Sequence, residues 1–400
     1  MNISRVVRTS LALCCRTFCP AMPALAILVF LGPIFGAVQI SSATTTCVFV
    51  QTAKALTLQG PCTTDEPILI PNNLTLNGQG FKITAIDPPA GNFVGPIVKT
   101  LGKAANVNNL FLRTNLADVC NADADKVIGI LFDHAAGTIS GVNITINKAA
   151  GTSTCSEGVA VQVQALPYSP KAPFSKVSVK NSTFKNNQFA SVVASGNVSL
   201  RVDTNLIKDD GAADPARQGV AISDGAKSYI INNLILRISH LTLNNEPSYG
   251  ILLLGAGSST VLTNTLNYDD IAIRLLGTSK TTVKGNIIRS STLDGILLDD
   301  ANAVASATDT VWGNDVQKSG GDGIHLQSVN GLVTKNIVKS NLASRNTGNG
   351  LMLEGSLNKA QVNTADTNGV LDISDAGSGN LYSKNVCTTS SGAPVDCGTP

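Results

Sequence analysis

An all-β solenoid, built from short strands stacked coil upon coil, is the fold class this sequence predicts. Three observations lead there. The first is composition. Of 400 residues 36 are Gly and 36 are Asn, and the 27 acidic residues divide into 23 Asp and 4 Glu. Glu is a good helix former, whereas Asp, Asn and Gly favour turns, so this balance opposes an all-α fold. The second is a recurring phrase of Gly, apolar, any residue, apolar. It stands at Gly219–Ile222, Gly250–Leu253, Ala272–Leu275, Gly295–Leu298, Gly323–Leu326 and Gly350–Leu353. From Gly250 onward it repeats at intervals of 22, 23, 28 and 27 residues. The third is a companion phrase, Asn-any-apolar, at Asn264, Asn286, Asn314 and Asn336. Asn286 precedes Gly295 by nine residues and Asn314 precedes Gly323 by the same nine, which places both phrases in one repeating coil.

Each phrase is too short for a helix. Its apolar residues alternate with period two, as in a strand with one buried face. Asn, Gly, Asp and Ser punctuate the intervals as turn residues. A strand of four or five residues cannot bury its apolar face alone, but equivalent strands of successive coils share an interior. Three such sheets per turn make a parallel β-helix, with neighbouring strands about 4.8 Å apart. At roughly 25 residues per coil the chain holds roughly a dozen coils. A leucine-rich-repeat horseshoe has an overlapping period, but needs a helix or comparable segment on its convex side, where this chain has Asn, Ser, Thr, Gly and Asp.

The elements follow in chain order. Residues 1–43 carry Arg5, Arg8 and Arg16, then no charge until Lys54; an apolar run over 24–40 ends at Ser41-Ser42-Ala43. This is the layout of a secretory signal peptide. A retained membrane anchor is the alternative, although the run is short for a span and interrupted by Gly32, Pro33 and Gly36. Loss of the leader leaves 26 basic side chains against 27 acidic, a net of −1. The chain is then secreted or periplasmic, with no membrane partner. Nothing in the linear sequence resembles a basic patch interleaved with aromatics, so nucleic acid is not an expected partner. Residues 44–70 are expected as an N-terminal cap, 71–385 as the β-helix and 386–400 as a C-terminal cap or tail.

Six cysteines remain after the leader: Cys47, Cys62, Cys120, Cys155, Cys387 and Cys397. An even number suits an oxidising compartment and permits fifteen pairings. Pairing of neighbours (47 with 62, 120 with 155, 387 with 397) is expected, because each pair brackets a local segment. The outer two would then cover the strand edges that an open solenoid exposes at its ends. Insertions break the rhythm at Asp87–Pro96, Ala117–Val127, Leu166–Ser175 and Lys208–Arg217, and loops on one flank of a solenoid commonly form its binding surface.

The phrases Gly250–Leu253, Gly295–Leu298, Gly323–Leu326 and Gly350–Leu353, with Asn-any-apolar between them, resemble the repeats of right-handed parallel β-helix proteins of the pectin-lyase-like superfamily. The resemblance spans about residues 70–385. It implies a single-stranded right-handed parallel β-helix solenoid with disulfide-associated end caps. It leaves activity open, since that superfamily holds lyases, hydrolases, epimerases, esterases and adhesins. Signature motifs of its enzymes are missing here. The bare pairs Asp209-Asp210, Asp269-Asp270 and Asp299-Asp300 are present, but the GHG, RIK, RxPxxR, DPH and QDT patterns are not.

In each phrase the middle residue should face outward. Stacking then gives one column of Ala221, Leu252, Arg274, Leu297, His325 and Met352. A second column holds Ser223, Leu254, Leu276, Asp299, Gln327 and Glu354. Just before the phrases lie Tyr249, Asp294, Asp322 and Asn349. Arg274, Asp299, Asp322 and His325 are therefore the candidate catalytic residues, within roughly 10 Å along the stack. Tyr249, Tyr268, Asp270, Asp294 and Asp300 are the candidate ligand-binding residues. Paired acids could serve as acid and base or hold Ca²⁺ as a cofactor, and Arg or His could handle a proton or sugar carboxylate. Asp294-Gly295 and Asp322-Gly323 are also ordinary turn dipeptides. The function expected is that of a polysaccharide-binding or surface solenoid, with a polysaccharide lyase or glycoside hydrolase as the alternative.

Overall fold

The computed structural model describes residues 45–117, 127–146, 158–210, 217–239, 247–300, 304–392 and 397–398. Among them every regular element is a strand, and no helix occurs. Residues 44–400 form one compact unit; the expected leader, Cys120 and Cys155 lie outside the described residues.

The backbone visits three faces in fixed order. Ala55–Leu58 belongs to sheet A, Cys62–Thr64 to sheet B and Ile68–Ile70 to sheet C, after which Thr75–Asn77 returns to sheet A. Each strand pairs in parallel with its equivalent one coil later. Sheets A and B reach 14 strands and sheet C reaches 13, in agreement with roughly a dozen coils. Winding begins at Ala55, inside the segment expected as a cap. The cap proper is Phe49–Gln51, which lies antiparallel on Ala55–Leu58, and the Cys47–Cys62 disulfide ties it to the first coil. At the other end Cys397–Gly398 pairs with Asn385–Val386 and is bridged through Cys387–Cys397. A short, cross-linked strand thus meets the edge of sheet A at the first coil and of sheet B at the last, which shortens the open edge that invites aggregation.

The period-two pattern works as a filter on side-chain direction. In Tyr249–Leu254, Ile251 and Leu253 are fully buried in the lumen while Leu252 points out. Register carries this through the stack: Ile251 pairs with Ile273, Ile273 with Ile296, Ile296 with Ile324, and Ile324 with Leu351. The intervals are those read from the Gly phrase. Each such side chain contributes about 1.5–3 kcal/mol by leaving water, and the rungs form one continuous core. The Gly of the phrase is there for closeness between coils. A Cβ on Gly250 would come within 2.6 Å of the Ala272 carbonyl oxygen, and one on Gly323 within 2.7 Å of that of Gly350.

The corner between sheets A and B is held by a buried asparagine ladder. It runs Asn205, Asn233, Asn264, Asn286, Asn314, Asn341, Asn363, Asn385. Each side-chain oxygen accepts both the backbone N–H and the side-chain N–H of the preceding rung, as Asn286 does from Asn264 at 2.9 and 3.0 Å. Each amide nitrogen also donates to a backbone carbonyl, as Asn286 does to Val261 at 3.1 Å. The ladder thereby satisfies polar groups of a corner that water cannot reach. The residue before each of these asparagines turns the corner with positive φ; Gly285 and Gly313 do so freely, whereas Thr263 and Val362 adopt it against β-branched preference. One reading from sequence needs correction. Asn336 is not the rung after Asn314; Asn341 is. Asn336 belongs to a second ladder at the corner between sheets C and A, accepting from the backbone of Asp309 and donating its own N–H to Asn358. The two ladders share a residue type and a local phrase, so linear spacing merged them.

Candidate functional site

The outward column of sheet C is the one anticipated. Ala221, Leu252, Arg274, Leu297, His325 and Met352 pair in succession. So do Ser223, Leu254, Leu276, Asp299 and Gln327. The four candidate catalytic residues do not form one constellation, however. They separate into two clusters with Leu297 between them.

The first cluster is closed. Arg274 donates from Nε to Asp299 Oδ2 at 2.8 Å and from Nη1 to the Tyr249 hydroxyl at 2.5 Å, with Nη2 2.6 Å from the same carboxylate oxygen. Its guanidinium carbon lies 5.3 Å from the Tyr249 ring centre, in cation–π range. All three side chains are buried, and Tyr249, Leu252, Ile271 and Leu297 pack as a small apolar cluster beside them. Burial works against the charge of Arg274, but Tyr249 and Asp299 more than offset it and raise its pKa. This is a structural ion pair, with its polar atoms directed at one another.

The second cluster is more open. His325 Nδ1 lies 3.3 Å from Asp294 Oδ2 and 3.4 Å from Asp322 Oδ2, and Nε2 lies 3.6 Å from Glu354 Oε1. Backbone groups set the carboxylates. Asp294 Oδ1 accepts from the Asp322 N–H at 2.7 Å, and Asp322 Oδ1 from the Asn349 N–H at 2.5 Å and side-chain amide at 2.9 Å. Coil stacking therefore turns the Asp-Gly dipeptides into an oriented pair of acids. Burial, the largest influence, would lower the pKa of His325, but Asp294, Asp322 and Glu354 together raise it above 6.5. An imidazole whose protonated form is favoured by three nearby carboxylates can give a proton as the imidazolium and take one as the neutral ring. Asp294, Asp322 and His325 also offer three donor atoms within 4.8 Å of one another. Two carboxylates with one imidazole suit a transition ion better than Ca²⁺, which prefers an all-oxygen shell.

The remaining candidates lie elsewhere. Tyr268 sits at the corner between sheets B and C, 57% exposed and with φ of 61°. Asp270 accepts from the Ser248 N–H and the Thr292 hydroxyl. Asp300 accepts from the backbone N–H of Val329, Asn330 and Leu332, organising that turn. Both acids brace loops.

Linear reading missed a strip on the outward face of sheet A. Lys284, Trp312 and Lys339 pair in succession there, with Lys284 Nζ 3.8 Å and Lys339 Nζ 5.9 Å from the Trp312 ring centre. Lys359 stands one coil further on and across the strand. Upstream, Arg201 pairs with Tyr229 and lies 4.9 Å from its ring centre, and Lys176, Lys180 and Lys227 flank them. A basic strip interleaved with aromatics thus does exist, contrary to the linear expectation. Paired positions on its successive strands stand 22–31 residues apart, so no short sequence window contains it. The traceable signal is the residue after the inward Val in Thr282–Lys284, Thr310–Trp312 and Ile337–Lys339.

Three parallel sheets visited in fixed order make this chain a parallel β-helix protein, and a family match and fold neighbours give it the right-handed class. A family described as "Right handed beta helix region" matches residues 167–331. Among solved structures, the periplasmic alginate epimerase AlgG aligns over 83% of this chain and 85% of its own, at 13% identity and a TM-score of 0.59. A tailspike protein double mutant of E. coli bacteriophage HK620 aligns over 80% of this chain and 60% of its own, at 13% identity and a TM-score of 0.50. At such identities the likeness is one of fold. No curated protein matches the chain in sequence.

Proposed function

We propose that this protein is exported and binds polysaccharide on the outward face of sheet C, around His325. The observation carrying this reading is the second cluster. Three carboxylates and an imidazole converge on one outward column, oriented by backbone N–H groups. Carboxylates accept hydrogen bonds from sugar hydroxyls and repel polyanions, so the ligand here is an uncharged glycan. The chain between sheets B and C supports the placement. At the cluster it is six residues long (290–295 and 318–323), and these connections bring Asp294 and Asp322 to the start of their sheet C strands. A fold neighbour named as an alginate epimerase is consistent with a glycan ligand. Binding of a panel of neutral glycans by calorimetry tests the reading. Asp322→Asn should weaken the best ligand about tenfold, the worth of a hydrogen bond to a charged group. A panel without a hit, or an unchanged affinity in the variant, overturns it.

A second reading, acid–base catalysis on a glycan, is favoured by the raised pKa of His325 between carboxylates. In that case reducing ends or unsaturated products appear on incubation, and His325→Ala abolishes them.

A further inference from the structure

We propose that the outward face of sheet A is a second binding surface, which takes an anionic polysaccharide laid along the axis of the stack. The surface is independent of the sheet C cluster and opposite to it in charge. From Ser175 onward its outward positions carry Lys176, Lys180, Arg201, Lys227, Lys284, Lys339 and Lys359. Asp203 is the one acid among the outward residues of these strands, and it pairs with Arg201 at 2.7 Å. No described carboxylate lies within ion-pair distance of Lys176, Lys227, Lys284, Lys339 or Lys359, and Lys180 has none either.

Seven cations on one face of a chain with 29 basic and 27 acidic side chains are a segregated distribution. Neighbouring like charges on a sheet are unfavourable, and an anionic ligand relieves that repulsion. The geometry is linear. From Arg201 to Lys359 is six strand spacings, roughly 29 Å, in a strip one short strand wide. Such a shape fits an extended single chain with repeating negative groups. The aromatic component points to sugar. Trp312, the sole tryptophan, is 40% exposed on this strip, and Tyr229 lies on the same face beside Arg201. Indole and phenol rings offer flat apolar surface for the C–H faces of pyranose rings, while the flanking lysines meet carboxylate or sulfate groups. The chain that would lie here is a polyuronate or a sulfated glycan, both being polyanionic sugars.

Affinity electrophoresis of the full chain in gels containing polygalacturonate, heparin or neutral dextran tests this. The wild type should be retarded by at least one polyanion and not by dextran, and retardation should fall steeply with added salt. Lys284→Gln with Lys339→Gln should raise the dissociation constant about tenfold for the two charges removed, and Trp312→Ala should weaken binding separately. Asp322→Asn, on sheet C, should leave polyanion binding unchanged. No retardation by any polyanion, or equal retardation of the double variant, overturns the proposal. Tighter binding to duplex DNA or to anionic lipid vesicles than to the polyanionic glycans also overturns it. Loss of neutral-glycan binding in Asp322→Asn alone concerns the sheet C reading and not this one.

Discussion

Sheets A and C are two faces of one winding, with the same alternation, spacing and kind of aliphatic lumen, yet their outward surfaces have opposite character. Sheet C presents Asp294, Asp322 and Glu354 around a single imidazole, next to an arginine already neutralised by Asp299. Sheet A presents lysines and arginine with aromatic rings between them. The lumen constrains every second residue of a strand, and the other half is free to vary. A solenoid of this kind can therefore carry chemically unrelated surfaces without altering its core, since each column is set one residue per coil. The clusters on sheet C show a further distinction. Burial plus full pairing makes the Arg274 cluster a brace, while partial exposure and excess acid make the His325 cluster a candidate for chemistry.

Several changes would break or sharpen this contrast. Arg274→Ala should have the largest effect. It strips a buried carboxylate of its cation, which costs about 3–5 kcal/mol, and chemical denaturation should register the loss. Next comes Asn286→Ala. It removes the acceptor for two Asn264 donors and the donor to Val261, at a cost of about 2–4 kcal/mol from buried groups left unmade. Because this ladder braces the entrance to sheet B in every later coil, the variant should weaken both faces together, whereas Arg274→Ala acts from sheet C alone. A wild-type protein no more stable than either variant would refute the corresponding assignment.

The third change is in pH. The folded state holds His325 above 6.5, so it favours the imidazolium. The stability this adds is complete below the unfolded value of 6.5 and is lost as pH rises through the folded value. His325→Gln should remove that decline, and a pH–stability profile identical in both proteins would show that the carboxylates do not hold the charge. The smallest effect belongs to sheet A. Lys284→Gln with Lys339→Gln should change stability by no more than about 0.5 kcal/mol, as exposed substitutions away from special features do, and relief of like-charge repulsion favours a slight gain. A large destabilisation would mean that these lysines serve the fold.

Much of the architecture was legible because the repeat is local. Gly250, Gly295, Gly323 and Gly350 mark where coils approach most closely, and the apolar residues after them can only be rungs. The outward column through Arg274 and His325 could be drawn from the same spacing. The Cys47–Cys62 and Cys387–Cys397 pairs were also readable, because each brackets a short segment. The site was less legible. Asp299 looked outward and available but is buried against Arg274, since side-chain reach across one coil is not encoded in register. Asp270 and Asp300 looked like ligands but spend their oxygens on loop N–H groups that linear reading does not locate. Asn336 looked like the next rung after Asn314 because two ladders use one residue type.

Period-two alternation and a coil-length recurrence of Gly and Asn were enough to specify strands, lumen and stacking, because both signals act within a few residues or at a regular interval. Charge partnership was another matter. Which acid meets which cation, and which lysines line up beside Trp312, depends on residues 22–31 positions apart being brought to about 4.8 Å by strand pairing, with insertions of unequal length in between. Those neighbourhoods come into being only when the coils close on one another.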